Sequence, residues 1–421
     1  VGSYCAIYFD DLDVCGSKSV VPDAFCAIFQ ESDRSVRPSP DPEDEAPQTV
    51  YEAPREVVLA RLALLGCTAA VARERLESWL QAMRATWDEY RADDGDWAAE
   101  TAEALHALTP DDWYARVPRC LATRFSDEKP IDEIDRHMRE TEDSWLWFDG
   151  YASLMGLRAL LDACVDVETV TLDLTDLIGG GWIEADVALC ETRRKEDPLE
   201  PRPLAPTVVL GEGSSDIRVL QRSLAVLYPE RQDYFSFFNH AELSVDGGTA
   251  YLVKFLKAFA AARAPFRMIA VFDNDTAGIQ AFRQAIALGL PDNMIVMHLP
   301  DVELARAYPT VGPQGVHLVD VNGQAAGIEL YLGRAALLLR GELRPVRWTG
   351  YNQAARAYQG EVESKWDVER AFLEQLETFG NASDARAAFP ELASVWEAIF
   401  AAVQRSAEAA ERRLHGRVRE I

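Results

Sequence analysis

The chain has 421 residues and a formal net charge of −27. At roughly 100–200 residues per domain, that length predicts two or three domains. So acidic a balance excludes a protein that coats nucleic acid with its whole surface, because phosphates are repelled by such a field, but it leaves room for a local carboxylate site.

Hydrophobic residues make up 48% of the chain, enough for ordinary cores. No run of uncharged apolar residues reaches the roughly 18 needed to cross a bilayer, so no membrane partner is expected. The opening Val1-Gly-Ser-Tyr-Cys-Ala has neither a basic nor an apolar leader region, which predicts no signal peptide. Seven cysteines, at 5, 15, 26, 67, 120, 164 and 190, show no metal-ligand spacing. Reduced thiols in a cytoplasmic protein are the expectation, not zinc or a disulfide framework.

In chain order, Tyr4–Phe9 is short, apolar and aromatic, a strand signal. Arg37–Arg55 is rich in proline and acids and reads as a solvated loop. Leu76, Trp79, Leu80, Met83, Trp87 and Tyr90 recur at helical spacing and mark one apolar face. Helices are also expected over Asp94–Leu108 and Tyr151–Cys164, and a strand over Val167–Asp173. Trp79, Trp87, Trp97 and Trp113 are expected in a core. Residues 1–195 thus form a mostly helical α+β domain, and the proline-rich Thr192–Pro206 reads as a linker.

From Thr207 short apolar runs alternate with helical segments. Strands are expected at Thr207–Leu210, Tyr234–Phe238, Met268–Phe272, Ile295–Leu299 and Val316–Val321. Helices are expected at about Ser215–Leu227, Thr249–Arg263 and Ala277–Leu288. This alternation predicts a Rossmann-like parallel sheet with right-handed crossovers over residues 205–335. Residues 336–421 are expected to be a helical C-terminal region, clearest at Val368–Phe379 and Pro390–Arg413.

Two segments carry the chemistry. In Thr207-Val-Val-Leu-Gly-Glu212-Gly-Ser-Ser-Asp216 a strand runs into an acid, a Gly-Ser turn and a helix. Ligands of open α/β sheets bind beyond the carboxyl ends of strands, where Glu212 falls. Asp216 lies in the first helical turn, as a helix cap or a further ligand. In Met268-Ile-Ala-Val-Phe-Asp273-Asn-Asp275-Thr-Ala-Gly278 a second strand runs into two carboxylates. Mg²⁺ takes oxygen ligands and keeps several waters, so two or three carboxylates suffice.

GEGSSD paired with DNDTAG resembles the Toprim domain shared by topoisomerases, bacterial primases, recombination mediators and OLD-type nucleases. The resemblance implies a catalytic set of Glu212, Asp273 and Asp275, with Mg²⁺ or Mn²⁺ as cofactor and a nucleic-acid phosphodiester as substrate. Ser244-Val-Asp-Gly-Gly-Thr249 resembles the glycine turn before the second Toprim helix; a plain tight turn is the other reading. OLD-type nucleases carry a late acid that helps hold a second metal, and Glu329 in Gly327-Ile-Glu329-Leu is the candidate, ahead of Asp320. Two metals, roughly 4 Å apart, would clamp the attacking and leaving oxygens.

The opening GSYCAIYFDDLDV and the late VRWTGYNQAARAYQGEVESKW resemble HEPN/Toprim-associated proteins of prokaryotic antiphage systems. A catalytic HEPN ribonuclease carries an Arg, four to six residues, then His. Neither His106 nor His137 has an Arg at that spacing, so residues 1–195 are expected to serve recognition or regulation.

Arg218, Lys254 and Lys257 are weak candidates for phosphate contact. His240, just after a strand, reads as a structural histidine or as one that approaches the site; His298 and His317 read as structural. The arginines at 405, 412, 413, 417 and 419 read as a solvated helix face interleaved with Glu408 and Glu411. Antiphage nuclease activity is the expectation, with a defence partner or a second copy as partner. The alternative is a Toprim-like scaffold that does not cut. Strand passage and primer synthesis are disfavoured, since no tyrosine-bearing topoisomerase module or zinc finger is evident.

Overall fold

The computed structural model describes residues 2–38, 47–94, 98–140, 153–195, 205–238, 247–313 and 315–418. It divides into two compact units, Val1–Glu196 with Ala407–Ile421, and Asp197–Ser406.

The first unit has strands β1 (Tyr4–Phe9), β2 (Leu12–Lys18), β3 (Arg34–Arg37), β4 (Gln48–Pro54) and β5 (Thr169–Asp173). They form one antiparallel sheet in the order β2-β1-β5-β4-β3. Strand β4 falls in the proline-rich stretch expected to be a loop. Its Val50, Tyr51 and Ala53 are buried, and Pro54 ends the strand where the missing N–H costs no ladder bond.

Helices α1 (Asp23–Ala27), α2 (Arg55–Leu64), α3 (Ala69–Asp94), α4 (Ala99–Ala107), α5 (Pro110–Thr123), α6 (Glu133–Glu140), α7 (Leu154–Ala163), α8 (Thr175–Gly179) and α9 (Leu189–Lys195) complete the unit. Trp113 is fully buried and Trp79 and Trp87 pack against the same core; Trp97 lies outside the described residues. Thr109 caps α5, accepting from the Asp112 N–H at 3.1 Å, and Asp112 answers to the Thr109 N–H. Thr109→Ala is expected to lower stability by about 1 kcal/mol in a urea titration, because the Asp112 N–H loses its side-chain acceptor.

In the second unit β6 (Thr207–Leu210), β7 (Phe235–Phe237), β8 (Met268–Phe272) and β10 (Met294–His298) are parallel, in the order β10-β8-β6-β7. Between them run α10 (Ser214–Leu227), α11 (Thr249–Ala261), the short β9 (Asn274–Asp275) and α12 (Thr276–Ile286). The chain leaves β6 towards β7 and leaves β8 towards β10, in opposite directions. Right-handed crossovers then put α10 on one face and α11 with α12 on the other. Leu210, Leu252, Leu256, Met268, Ala270, Phe272 and Ala285 form the core under α11 and α12. On the α10 side, buried Trp396 donates its indole N–H to Ser223 Oγ at 2.9 Å.

After β10 the parallel series stops. β11 (Tyr308–Gly312) and β12 (Gly315–Val319) form an antiparallel hairpin in a separate sheet with β16 (Val346–Asn352) and β17 (Ala357–Val362), ordered β12-β11-β16-β17. The expected strand at Val316–Val321 therefore exists, but outside the parallel sheet, and its residues are largely exposed. Short strands β13 (Ala325–Ala326), β14 (Leu338–Leu339) and β15 (Glu342–Leu343) intervene. Residues 338–362 are thus strands where a helical region is expected, since Val346-Arg-Trp-Thr-Gly-Tyr is β-branched and aromatic rather than helix-forming. Helices resume at α13 (Lys365–Leu376), α14 (Ala382–Ala388) and α15 (Pro390–Val418).

Candidate functional site

Loops that diverge from adjacent parallel strands open a crevice at the topological switch point. Here those strands are β6 and β8, with Leu210 level with Ala270. The register brings the residues just past each strand end side by side. Glu212 Oε1 accepts the Asp273 backbone N–H at 3.0 Å.

Two glycines hold this arrangement. Gly248 N–H donates to Glu212 O at 2.6 Å, and its φ of +101° is a conformation that side chains resist. A Cβ on Gly247 would approach that same carbonyl to 2.9 Å. Ser244, Val245 and Asp246 of the expected glycine turn lie outside the described residues, as does His240.

Asp216 and Asp275 are helix caps as well as members of the cluster. Asp216 Oδ2 accepts from the Gly213 N–H at 2.8 Å. Asp275 Oδ1 accepts from the Gly278 N–H at 2.7 Å, and its Oδ2 takes a bond from Gln359 of β17. Asn274, between the two aspartates, is buried. Its amide donates to Asp301 at 2.9 Å and its Oδ1 accepts from the Gly323 N–H at 3.0 Å. It pins the loop while its neighbours point elsewhere.

Glu329 enters from the far side of the chain. It is buried, and a Cβ on Gly327 would meet both Glu329 Oε2 at 2.6 Å and Asp273 Oδ2 at 3.3 Å. The two carboxylates therefore face the same small space above Gly327. Lys365, at the start of α13, lies 3.5 Å from Glu329 Oε1 and 3.7 Å from Glu361 Oε2.

The electrostatics follow from crowding. Burial, then the charges of Asp275 and Asp216, push Glu212 up to about 8, against the Asp273 N–H. Burial and the charge of Glu329 push Asp216 up to about 7. Asp273 is raised well above the usual range by burial and by Asp216, Glu212, Glu329 and Asp275. Burial works against the charge of Lys365, yet Glu329, Asp273, Glu361 and Asp216 hold its pKa above the ordinary value.

Among the described residues no three Asp, Glu, His or Cys side chains already surround one point as metal ligands do. The fit to a divalent cation is thus one of charge and donor type: oxygen donors in excess, repelling one another, with several of their lone pairs engaged by caps.

Other expected residues fall elsewhere. Arg218 binds Glu369 Oε1 at 2.5 Å, and Ser215 Oγ donates to the same carboxylate at 2.7 Å, so Arg218 is committed to a partner. Lys254 and Lys257 are exposed on α11, and Lys254 sits 4.9 Å from the Tyr251 ring centre. Neither pairs with a carboxylate among the described residues. Asp320 is exposed and caps its own turn through the Asn322 N–H at 3.0 Å. His298 bonds Leu299 O at 2.8 Å and packs on Phe282. His317 is exposed on β12. Arg412 pairs with Glu74 at 2.9 Å and with Glu408 at 3.5 Å. Arg419 and the side chain of Arg417 lie outside what is described.

In the first unit His137 Nε2 is 2.8 Å from Glu133 and 3.0 Å from Thr101 Oγ1, a buried and satisfied histidine. His106 pairs with Asp88 at 3.0 Å on the surface. All seven cysteines are free and buried. Among the described residues, no helix is long and apolar enough to cross a membrane.

Sequence reasoning missed Lys365, Gln359 and Asn274. Asn274 carried a signal, as the middle of a strand-terminal D-x-D; Gln359 and Lys365 fall in the late stretch that carries the HEPN/Toprim resemblance, but nothing local marked them as site residues.

The second unit is therefore a mixed α/β body with acids massed at the switch point of a parallel sheet. Residues 1–196 match the family model described as HEPN/Toprim N-terminal domain 1. That part of the chain is similar to the N-terminal domain of HEPN/Toprim-associated proteins, which links it to Toprim-related or nuclease-related roles. The searches of curated proteins and of solved structures returned no match.

Proposed function

We propose that the second unit contains a Toprim-type catalytic domain that hydrolyses nucleic-acid phosphodiesters with Mg²⁺ or Mn²⁺. The observation that carries this reading is the convergence of Glu212, Asp216, Asp273, Asp275 and Glu329 on one crevice, with burial first and mutual repulsion second raising three of them. Such a set stores unfavourable charge that a divalent cation relieves.

Asp216, Asp273, Asp275 and Glu329 hold the ion, and Glu212 is a ligand or general base. A bound cation supplies charge neutralisation and polarises a phosphoryl oxygen. Burial and the neighbouring acids hold the Glu212 carboxyl above the ordinary carboxylate range, which makes its ionised form a stronger base than a free carboxylate. Lys365, facing the same space as Glu329, neutralises a phosphate oxygen. The HEPN/Toprim-type N-terminal domain supports a role in antiphage defence, in the cytoplasm, with that domain recognising a partner or trigger.

A second reading is a scaffold that does not cut, and it is favoured by the absence, among the described residues, of a ready ligand cage. Plasmid, single-stranded DNA and total tRNA, each incubated with the protein in Mg²⁺, Mn²⁺ or EDTA, separate the two. Metal-dependent cleavage lost in Glu212→Ala supports the nuclease. Cleavage in no arm, with biological function intact in Glu212→Ala, supports the scaffold.

A further inference from the structure

The two oxygens of Glu329 meet different partners. Oε2 and Asp273 Oδ2 face the same small space above Gly327. Oε1 has the Lys365 ammonium 3.5 Å away, and the same Nζ lies 3.7 Å from Glu361 Oε2. A cation belonging to the protein itself is thus shared by two carboxylates at the edge of the crevice.

The local structure explains its position. Side chains alternate along a strand, so Glu361 lies on the same face of β17 as Gln359. That face is turned towards the acids, because Gln359 bonds Asp275. Lys365 then opens α13, four residues beyond Glu361. The strand supplies one carboxylate, the buried Glu329 the other, and the helix start supplies the charge that joins them.

Elsewhere in the crevice many lone pairs are engaged. Asp275 accepts from the Gly278 N–H and from Gln359, Asp216 from the Gly213 N–H, and Glu212 from the Asp273 N–H. The oxygens left over, with Glu329 Oε2, suit one hard cation that keeps several waters. A second ion, roughly 4 Å from the first, would draw on Glu329 Oε1 and Glu361. The ammonium already holds those oxygens, and a dication beside it would be repelled.

We propose that the Lys365 ammonium fills the place of a second divalent ion, so that the crevice binds one Mg²⁺ or Mn²⁺ and not two. The inference rests on the reading of the crevice as a cation site; the number of ions is independent of whether anything is cut.

The test counts Mn²⁺ on the full chain by equilibrium dialysis, with electron paramagnetic resonance to detect paired ions. A chain of net charge −27 also collects ions weakly on its surface, so the count in Asp273→Asn is subtracted as the blank. The expected result is about one crevice ion in the parent and in Lys365→Arg, and about two, with the spin-coupled spectrum of a close pair, in Lys365→Met. Adding Glu361→Gln to Lys365→Met is expected to remove the second ion, which locates it. The parent and Lys365→Arg test the idea even where Lys365→Met fails to fold. About two ions in the parent or in Lys365→Arg, a single ion in folded Lys365→Met, or a pair that survives Glu361→Gln overturns the inference and leaves the metal-dependent reading standing. No crevice ion in the parent overturns both.

Discussion

Asp273→Asn is expected to abolish Mg²⁺-dependent cleavage and, in EDTA at pH 8, to make the protein more stable rather than less. Asp273 is the carboxylate most surrounded by others, acted on by Asp216, Glu212, Glu329 and Asp275. An amide keeps its shape and removes its charge. Glu212 and Asp216, at about 8 and about 7, hold protons in the folded state that the unfolded chain releases near the ordinary carboxylate range of about 4. Between those limits the folded state binds more protons, so metal-free stability falls as pH rises through that window.

Removing one charge relieves part of this cost. With about 1–2 kcal/mol regained, the metal-free Tm at pH 8 rises by roughly 5 °C for a unit of this size. Mg²⁺ reverses the comparison: it raises the parent's Tm, more at pH 8 than at pH 6 because it competes with protons, and leaves Asp273→Asn nearly unmoved. Differential scanning fluorimetry across pH with EDTA or Mg²⁺ reads both effects. Residual cleavage in Asp273→Asn, or an equal Mg²⁺ shift in both proteins, contradicts the charge argument.

Gly278→Ala is expected to cost at least about 2 kcal/mol and to remove cleavage with it. In the first turn of α12, an added Cβ would lie 2.2 Å from Asp273 O, 2.9 Å from Asp273 C and 3.0 Å from Asp273 N. These are backbone atoms of the loop that presents the acids, so no side chain can swing aside. Alanine gains about 1 kcal/mol in helix propensity, but overpacking costs about 3 kcal/mol at such a distance. The loop must move away from Glu212, whose carboxylate accepts the Asp273 N–H. Urea titration gives the stability and a cleavage assay the activity. A variant as stable as the parent rules out the close approach.

The parallel sheet was legible because Thr207–Leu210 and Met268–Phe272 are short, apolar and followed by turn residues, and both are strands with those bounds. The placement of Glu212, Asp273 and Asp275 just past two parallel strands was legible from position, since such residues share one rim of the sheet, whereas their catalytic role came from the resemblance. Glu329 rested on resemblance, and the structure sets it against Asp273 through a chain reversal that no local pattern encodes. Lys365 and Gln359 escaped notice for the same reason: hairpin β16–β17 docks on the Asp275 loop by tertiary bonds, not by sequence proximity. Arg218 misled because a positive charge near an acidic motif looks available until its partner, Glu369, arrives from a distant helix.

The dependence of the crevice on Gln359 and Lys365 bears on how the protein is made. A ribosome that has just finished Asp275 must add the β17 hairpin and the start of α13 before the acids acquire their amide donor and their ammonium. At ordinary elongation rates that interval is on the order of ten seconds. A nascent chain that ends before Gln359 holds its acids without either companion, so the surroundings of the crevice are complete only once the start of α13 has been made.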